Sequence, residues 1–369
     1  MSDPASAPRA PARPLARAPG RRGYLDWLRG IAVLIMIEAH TLDSWTLAAE
    51  RDRAGFGYAM ILGGFGAPIF LFLAGIGVAL AARGRQRTGA TVREAAAAVR
   101  RRGWEIFGLA FLFRLQSWVL SGGAPLGTLL KVDILNIMGP AMAGAAALWG
   151  LTRRTRVRIV LLAGAAVALA MLTPAVRAAA WPGALPDPIE WYLRPYPGRT
   201  TFTLLPWAGF LFAGAAVGVW LDADRERRVM AALALGGPAV ALAGYAASYL
   251  PPIYAQTNFW TSSPTFFFLR LGVLLSLVPF AWARERLPGS GPLQYFGRAS
   301  LFVYWIHVEM VYGVVSAGLH RRLTLEGAVL AFLLFSLFLF GVAKGKDRVV
   351  AWRTLRKRPD RSSSQPAHG

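Results

Sequence analysis

Residues 24–40 read YLDWLRGIAVLIMIEAH, and this stretch decides the fold class of the chain. It belongs to an apolar run over 25–44, which is long enough for one helix to cross a bilayer, since a span takes about 20 residues. Charged side chains interrupt the run, and ionisable groups inside a membrane span are costly and mark functional sites by default. The stretch therefore predicts a membrane helix with a functional face.

Nine further apolar runs follow along the chain. They cover residues 60–82, 103–121, 131–150, 157–176, 201–221, 229–249, 263–283, 299–317 and 325–343. The sequence therefore predicts an all-α polytopic membrane protein of about ten transmembrane helices. We expect a transmembrane domain over 24–345, a disordered basic tail over 1–23 and a second basic tail over 346–369.

The composition supports this class and excludes others. Hydrophobic residues make up 55% of the 369 residues and charged residues 16%, against roughly 25% charged in ordinary globular proteins. The formal net charge is +22, which in a soluble protein would suggest nucleic acid. Here the basic residues lie between apolar runs, so we expect no nucleic-acid partner. The chain has no Cys, which excludes disulfides, zinc–thiolate sites and a cysteine nucleophile, and no metal site is expected.

The basic residues also predict an orientation. With the N-terminus in the cytoplasm, 30 of the 41 Lys and Arg fall in inside segments and 8 in outside segments. This bias follows the positive-inside rule and predicts that both termini are cytoplasmic, in a multi-pass protein of the cell (plasma or inner) membrane with lipids as its surroundings. The small-residue run GGFGAPIFLFLAGIGVAL (63–80) predicts close helix packing and would permit a homodimer.

Four polar side chains of the first span share one stripe. Successive residues of an α-helix differ by about 100°, so Asp26, Arg29, His40 and Asp43 lie on one side and Glu38 on the other. The stripe is roughly 25 Å long and must face protein or water. An interhelical salt-bridge seam would also explain it, but alternating acid, base, His and acid favours a functional site.

The ninth span carries the second intramembrane His. Ser300, Tyr304 and His307 follow at i, i+4 and i+7 and share a face, while Glu309 points elsewhere. His307 is either a functional group or a buried His that bonds to a neighbouring helix. Glu309 is a candidate for contacting a substrate.

Two arginines lie well inside the third and eighth spans. Arg114 and Arg270 each need a carboxylate or an anionic ligand, and Glu38, Glu105 and Glu309 are available partners. The arginines could instead hold a phosphate-bearing ligand.

The fourth span opens with Asp133 and Asn136, which are i, i+3 neighbours near the predicted outer surface. They could contact a polar substrate. The alternative is a helix-start carboxylate that is favoured by the helix dipole.

The first span resembles the first helix of membrane-bound acyltransferases. In the acyltransferase-3 family this helix carries Arg, ten residues and His, as Arg29 and His40 do here. The strings LDWLRG (25–30) and EAHTLDSW (38–45) resemble more closely the bacterial proteins grouped with the heparan-alpha-glucosaminide N-acetyltransferase catalytic domain. Three more blocks are similar to that family, so the similarity extends over about 24–345: GAPIFLFLAG (66–75), VDILNIMG (132–139) and FGRASLFVYWIH (296–307).

The resemblance implies transfer of an acyl group, usually acetyl from cytoplasmic acetyl-CoA, to an acceptor across the membrane. In the lysosomal enzyme the acceptor is a glucosamine amine. The lysosomal relatives rely on a luminal His beyond the first span, and loop 45–58 of this chain has no His. His40 instead takes the position of the His in the acyltransferase-3 family. The acceptor class is therefore left open between a sugar and another polar molecule.

Acyl transfer needs a base for the acceptor and stabilisation of an oxyanion. We predict that His40 is the base, or a transient acyl carrier, and that Asp43 orients its ring. Arg29, with Asp26 as its partner, would hold the CoA end, and His307 would be a second acid/base or an acceptor ligand. A secondary transporter or flippase of envelope precursors is the alternative, because such proteins also bury charges near the midplane. A non-catalytic relative that acts in envelope assembly is a third possibility.

Overall fold

The computed structural model describes residues 22–121, 123–221, 226–287 and 291–356, and its regular elements within these ranges are helical. The α-helices are α1 (Gly23–Trp45), α2 (Ala54–Gly63), α3 (Gly66–Arg87), α4 (Val92–Leu120), α5 (Ile134–Gly150), α6 (Thr155–Ala178), α7 (Asp187–Leu193), α8 (Leu204–Trp220), α9 (Glu226–Ala247), α10 (Pro264–Arg284), α11 (Gly291–Arg298), α12 (Ser300–Tyr312) and α13 (Leu325–Arg356). The predicted all-α class is confirmed. The predicted disorder over 1–23 falls almost wholly on residues 1–21, which lie outside the described residues, as does 357–369 of the predicted basic tail.

Five helical segments are long and apolar enough to cross a membrane: 54–87, which combines α2 and α3, then α6, α9, α10 and 325–353 of α13. The shorter helices α5 and α8 are also apolar. By this measure the described residues yield fewer spans than the ten predicted. Two predicted spans are missing from this set for visible reasons. Four carboxylate or guanidinium side chains interrupt the apolar run of α1, and α12, with 13 residues, is too short to cross a membrane. The count of ten and the cytoplasmic termini stay predictions.

Glycines allow close approach between helix backbones. Gly75 of α3 faces the backbone carbonyl of Leu211 in α8, and Gly214 of α8 faces that of Phe72 in α3, so a Cβ at either position would overlap a carbonyl oxygen. The predicted close packing of 63–80 is thus confirmed at Gly75. Small residues allow such backbone approach in membranes, where dispersion contacts take the place of a hydrophobic driving force.

Several helix ends differ from the predicted spans. The helix predicted from 103 begins at Val92, where Thr91 and Glu94 form a capping box. The span predicted over 299–317 is a helix only to Tyr312, and the last helix continues from the predicted 343 to Arg356. Polar turns continue a helix without adding to an apolar run, which is why hydropathy misplaces these ends.

A backbone clamp ties the end of α1 to the segment before α13. Leu47 N donates to Leu323 O at 2.7 Å, and Leu323 N donates to Trp45 O at 2.9 Å. Next to it, Arg53 donates to Glu50 and to Glu326, and its hydrogen bond holds the pKa of the half-buried Glu50 carboxyl below its ordinary value. The clamp fixes the position of the helix that carries the polar stripe.

Candidate active site

A cavity of about 650 Å³ lies between α1, α3, α4, α5 and α12. On α1 it reaches from Arg29 to Asp43, a separation of about 21 Å along the helix axis. On α12 it reaches from Ser300 to Gly313, just past the end of that helix. The cavity therefore extends along most of the length of both helices.

The polar stripe predicted on α1 faces this cavity. Arg29, Met36, His40 and Asp43 line it, as the helical period requires, and Glu38 on the opposite side is not part of the lining. Asp26 is 3% exposed and lies at the edge of the stripe. The predicted common face of Arg29, His40 and Asp43 is thus confirmed, with Asp26 beside it.

Arg29 and Asp26 form the predicted pair. Arg29 Nη1 donates to Asp26 Oδ1 at 2.9 Å, so the guanidinium is anchored at one end of the cavity. Helix α11 packs against the same turn of α1, because Gly30 and Gly297 let the two backbones approach more closely than a Cβ would allow. This end of the site is held by an ion pair and by close backbone packing.

His40 and His307 are hydrogen-bonded to each other. His40 Nδ1 and His307 Nε2 are 2.9 Å apart, and the two rings are nearly parallel, with 6° between their planes. His307 is fully buried and its Nδ1 lies 2.9 Å from the carbonyl oxygen of Val303. His40 is only partly buried and lines the cavity, with the ring of Tyr312 edge-on to it at 5.5 Å between centroids. Of the two rings, only that of His40 faces the cavity.

Asp43 does not hydrogen-bond to His40. Its carboxylate accepts from Arg51 Nη2 at 2.7 Å, and its backbone oxygen accepts from Arg51 Nη1 at 2.9 Å. Asp43 therefore lines the end of the cavity as half of an ion pair with a residue in the following loop. The predicted orienting contact is made by His307 instead.

Arg114 pairs with Asp133, a partner that the sequence did not single out. Asp133 is the N-cap of α5, where it accepts from Ile134 N, while Asn136 Oδ1 accepts from Asp133 N at 3.0 Å. Arg114 and Asp133 line the cavity, but Asn136 is 1% exposed and lies outside the lining. The cap role offered for Asp133 is confirmed, and Asn136 supports that cap.

Glu309 reaches the cavity although its position predicted a different face from Tyr304. The row of α12 that faces the cavity centre is Tyr304, Val308 and Tyr312, and Glu309 is adjacent to this row. Its Oε1 is buried and has no hydrogen-bond partner among the described residues. Glu309 therefore lines the cavity, and its predicted contact with a substrate stays a prediction.

Arg270 lies outside the cavity. Its guanidinium is 4.0 Å from the ring centroid of Phe266 and packs against Gly64, and its buried Nε has no partner among the described residues. Glu105, offered as a partner for the buried arginines, pairs with Arg102 at 3.0 Å. Arg270 is thus stabilised by aromatic contact rather than by the predicted carboxylates.

Sequence reasoning missed Ser117 and Lys131 as cavity residues. Ser117 lies three residues after Arg114 on α4 and so shares its face, a signal that the spacing contained. Lys131 precedes α5 in a loop, where no periodicity predicts which way a side chain points.

Similarity to known proteins identifies the family of the chain. The family model described as heparan-alpha-glucosaminide N-acetyltransferase, catalytic, matches residues 21–255, which is more than half of the chain. The chain belongs to this family. As a member of the heparan-alpha-glucosaminide N-acetyltransferase catalytic family it is a membrane transferase of the acetyltransferase kind. No curated protein matches the chain. The family match includes Arg29, His40 and Asp133 but ends before α12, so it does not extend to His307.

Proposed function

We propose that this protein transfers an acetyl group from cytoplasmic acetyl-CoA to a sugar or other polar acceptor at the outer face of the membrane. Family membership supports the reaction class. The observation that carries the proposal is the single cavity in which His40 lies between Arg29 at one end and Asp43 at the other. Such a cavity lets a donor and an acceptor meet at one imidazole from opposite sides.

The two ends of the cavity suit different molecules. Between Arg29 and His40 the wall is largely apolar, with Met36, Phe70, Ile106 and Met138, which suits the thin thioester arm of CoA. Arg29 at the entrance would bind an anionic group of the donor, since guanidinium is well matched to phosphate. Arg29 is the arginine that we assign to CoA because it lies at this end of the cavity, whereas Arg114 lies with Asp133 toward the other end.

The other end is polar and suits an acceptor. Ser117, Lys131, Glu309 and Tyr312 line it together with the Arg114–Asp133 pair. A hydroxyl or amine bound there would lie next to His40 and beside Glu309, which lines the same end of the cavity. We assign acceptor binding to this end of the cavity.

His40 would act as the general base of a direct transfer. Its free ring nitrogen takes the proton of the acceptor as the acceptor oxygen or nitrogen forms a bond to the thioester carbonyl carbon. The C–S bond then breaks, and the imidazolium returns the proton to the sulfur, which leaves as CoA thiol. A positioned base of this kind contributes about 10²–10⁴-fold.

Mass spectrometry of the cell envelope tests the proposal. Glycans and lipids from a strain that lacks the gene should lose one acetyl group on a defined component, and wild-type protein should restore it. Restoration by wild-type protein but not by His40→Ala, at equal amounts in the membrane, is the expected result. An unchanged envelope combined with substrate counterflow in the absence of acetyl-CoA would overturn the proposal and favour a transporter.

A further inference from the structure

Resting on the proposed function, we infer that His307 is a positioning residue that fixes the tautomer of His40 and never touches the substrate. The observation is the hydrogen-bonded order Val303 carbonyl, His307, His40, cavity. It gives His307 a defined role in place of the second acid/base or acceptor ligand that the sequence predicts.

The donor and acceptor in each of these hydrogen bonds follow from the Val303 carbonyl. A carbonyl oxygen only accepts, so the Nδ1 of His307, 2.9 Å from Val303 O, carries a hydrogen. Both rings lie in an interior without a carboxylate hydrogen-bonded to either, which disfavours a charge on the pair. In neutral His307 the Nε2 must then be an acceptor, because only one ring nitrogen carries hydrogen.

The hydrogen bond between the two rings then determines the tautomer of His40. His307 Nε2 is 2.9 Å from His40 Nδ1, so the hydrogen of that contact belongs to His40. Neutral His40 consequently has its lone pair on Nε2, which has no hydrogen-bond partner among the described residues. The ring that lines the cavity is therefore held in the tautomer that accepts a proton there.

Among the described residues, no other group near the two histidines takes over this function. Asp43 is bound by Arg51 and Asp133 by Arg114. The aromatic rings of Tyr304 and Tyr312 contact the two imidazoles through their edges, at 5.8 and 5.5 Å between centroids. His307 itself is 0% exposed, so a molecule in the cavity reaches His40 and not His307. In serine hydrolases an Asp holds the catalytic His in this way; here a second His occupies that position.

Replacing His307 by Gln, Asn or Leu separates positioning from packing. The Gln amide oxygen falls near the former Nε2 and can accept from His40, whereas the Asn amide falls near the former Nδ1 and meets only Val303. Leu fills the volume without an acceptor. Thermal unfolding of the three purified variants establishes that each is folded, and His320→Gln, at an exposed position, is the matched control for loss of one His.

Diethyl pyrocarbonate, which modifies neutral imidazole nitrogen, reads the tautomer without any acetyl transfer. In wild type we expect labelling of His40, with exposed His320 as internal reference, and none of His307. We expect the His40 rate relative to His320 to be preserved in His307→Gln and to fall about fivefold in His307→Asn and His307→Leu, as loss of one hydrogen bond implies. In transfer assays Asn and Leu should lower kcat by about 10²-fold or more with little change in the KM for acetyl-CoA.

Labelling of His307 in the folded protein, or equal His40 rates in all three variants, would overturn the inference. The predicted labelling pattern in a protein that transfers no acetyl group would leave the dyad in place and refute the proposed function instead. The two failures are thus distinguishable.

Discussion

At the scale of single residues, helical periodicity predicted which side chains of α1 share a face, because the rotation per residue is fixed by the backbone. The sequence predicted the local pair of Arg29 and Asp26 but not the partners of Asp43 and His40. Arg51 lies in a loop and His307 on a helix 267 positions away in sequence, so their contacts with Asp43 and His40 depend on how the helices pack. The sequence therefore identified Arg29 and His40 as candidates but assigned the orienting role to the wrong neighbour.

The pairing of Asp43 with Arg51 yields a test at this scale. Asp43→Asn removes the charge but keeps the side-chain size, and His40 retains its contact with His307. We expect acetyl transfer to fall by less than about tenfold, well short of the 10²–10⁴-fold that loss of the base itself would cost. Steady-state transfer assays compare Asp43→Asn with Arg51→Gln, which should have a similar effect. A loss as large as that of His40→Ala would show that Asp43 acts on the ring.

At the scale of helices, apolar runs located the elements and missed their ends. Hydropathy registers only apolar turns, so the basic first turns of α4 and the last turns of α13 were not predicted. Small residues did predict close packing, since only a missing Cβ lets two backbones meet, as Gly75 and Leu211 do. Their partner helix could not be predicted, because the glycine pattern does not specify which helix approaches.

Two glycines of α3 form a matched pair for testing this packing. A Cβ at Gly75 would overlap the carbonyl of Leu211, whereas nothing lies within 4 Å of a Cβ at Gly84. We expect Gly75→Ala to destabilise the protein by about 1–3 kcal/mol, as overpacking does. Gly84→Ala should be neutral or stabilising, because Ala is favoured over Gly in a helix. Thermal unfolding in detergent measures both, and equal unfolding temperatures would contradict the close backbone contact between α3 and α8.

At the scale of the whole molecule, acetyl transfer across the membrane requires that the two ends of the cavity open on opposite sides. The helices that line it alternate in direction: α1, α4 and α12 run from the Arg29 end, and α3 and α5 run toward it. The positive-inside bias of the loops predicts that the Arg29 end faces the cytoplasm. Charge bias predicts this orientation from sequence, but the cavity itself could not be predicted, since it exists only between packed helices.

Sidedness can be measured directly because the natural chain has no Cys. Thr88→Cys and Thr257→Cys place single thiols at exposed positions in a predicted inside and a predicted outside segment, and an impermeant maleimide then defines the orientation of sealed vesicles. Labelled acetyl-CoA is supplied on one side at a time, with an envelope extract as acceptor on the other. We predict acetyl transfer only from the Thr88 side to the Thr257 side, and a loss of about 10²–10⁴-fold in His40→Ala but none in His320→Gln. Transfer from acetyl-CoA on the Thr257 side, or undiminished transfer in His40→Ala, would contradict a cavity that joins donor and acceptor at His40.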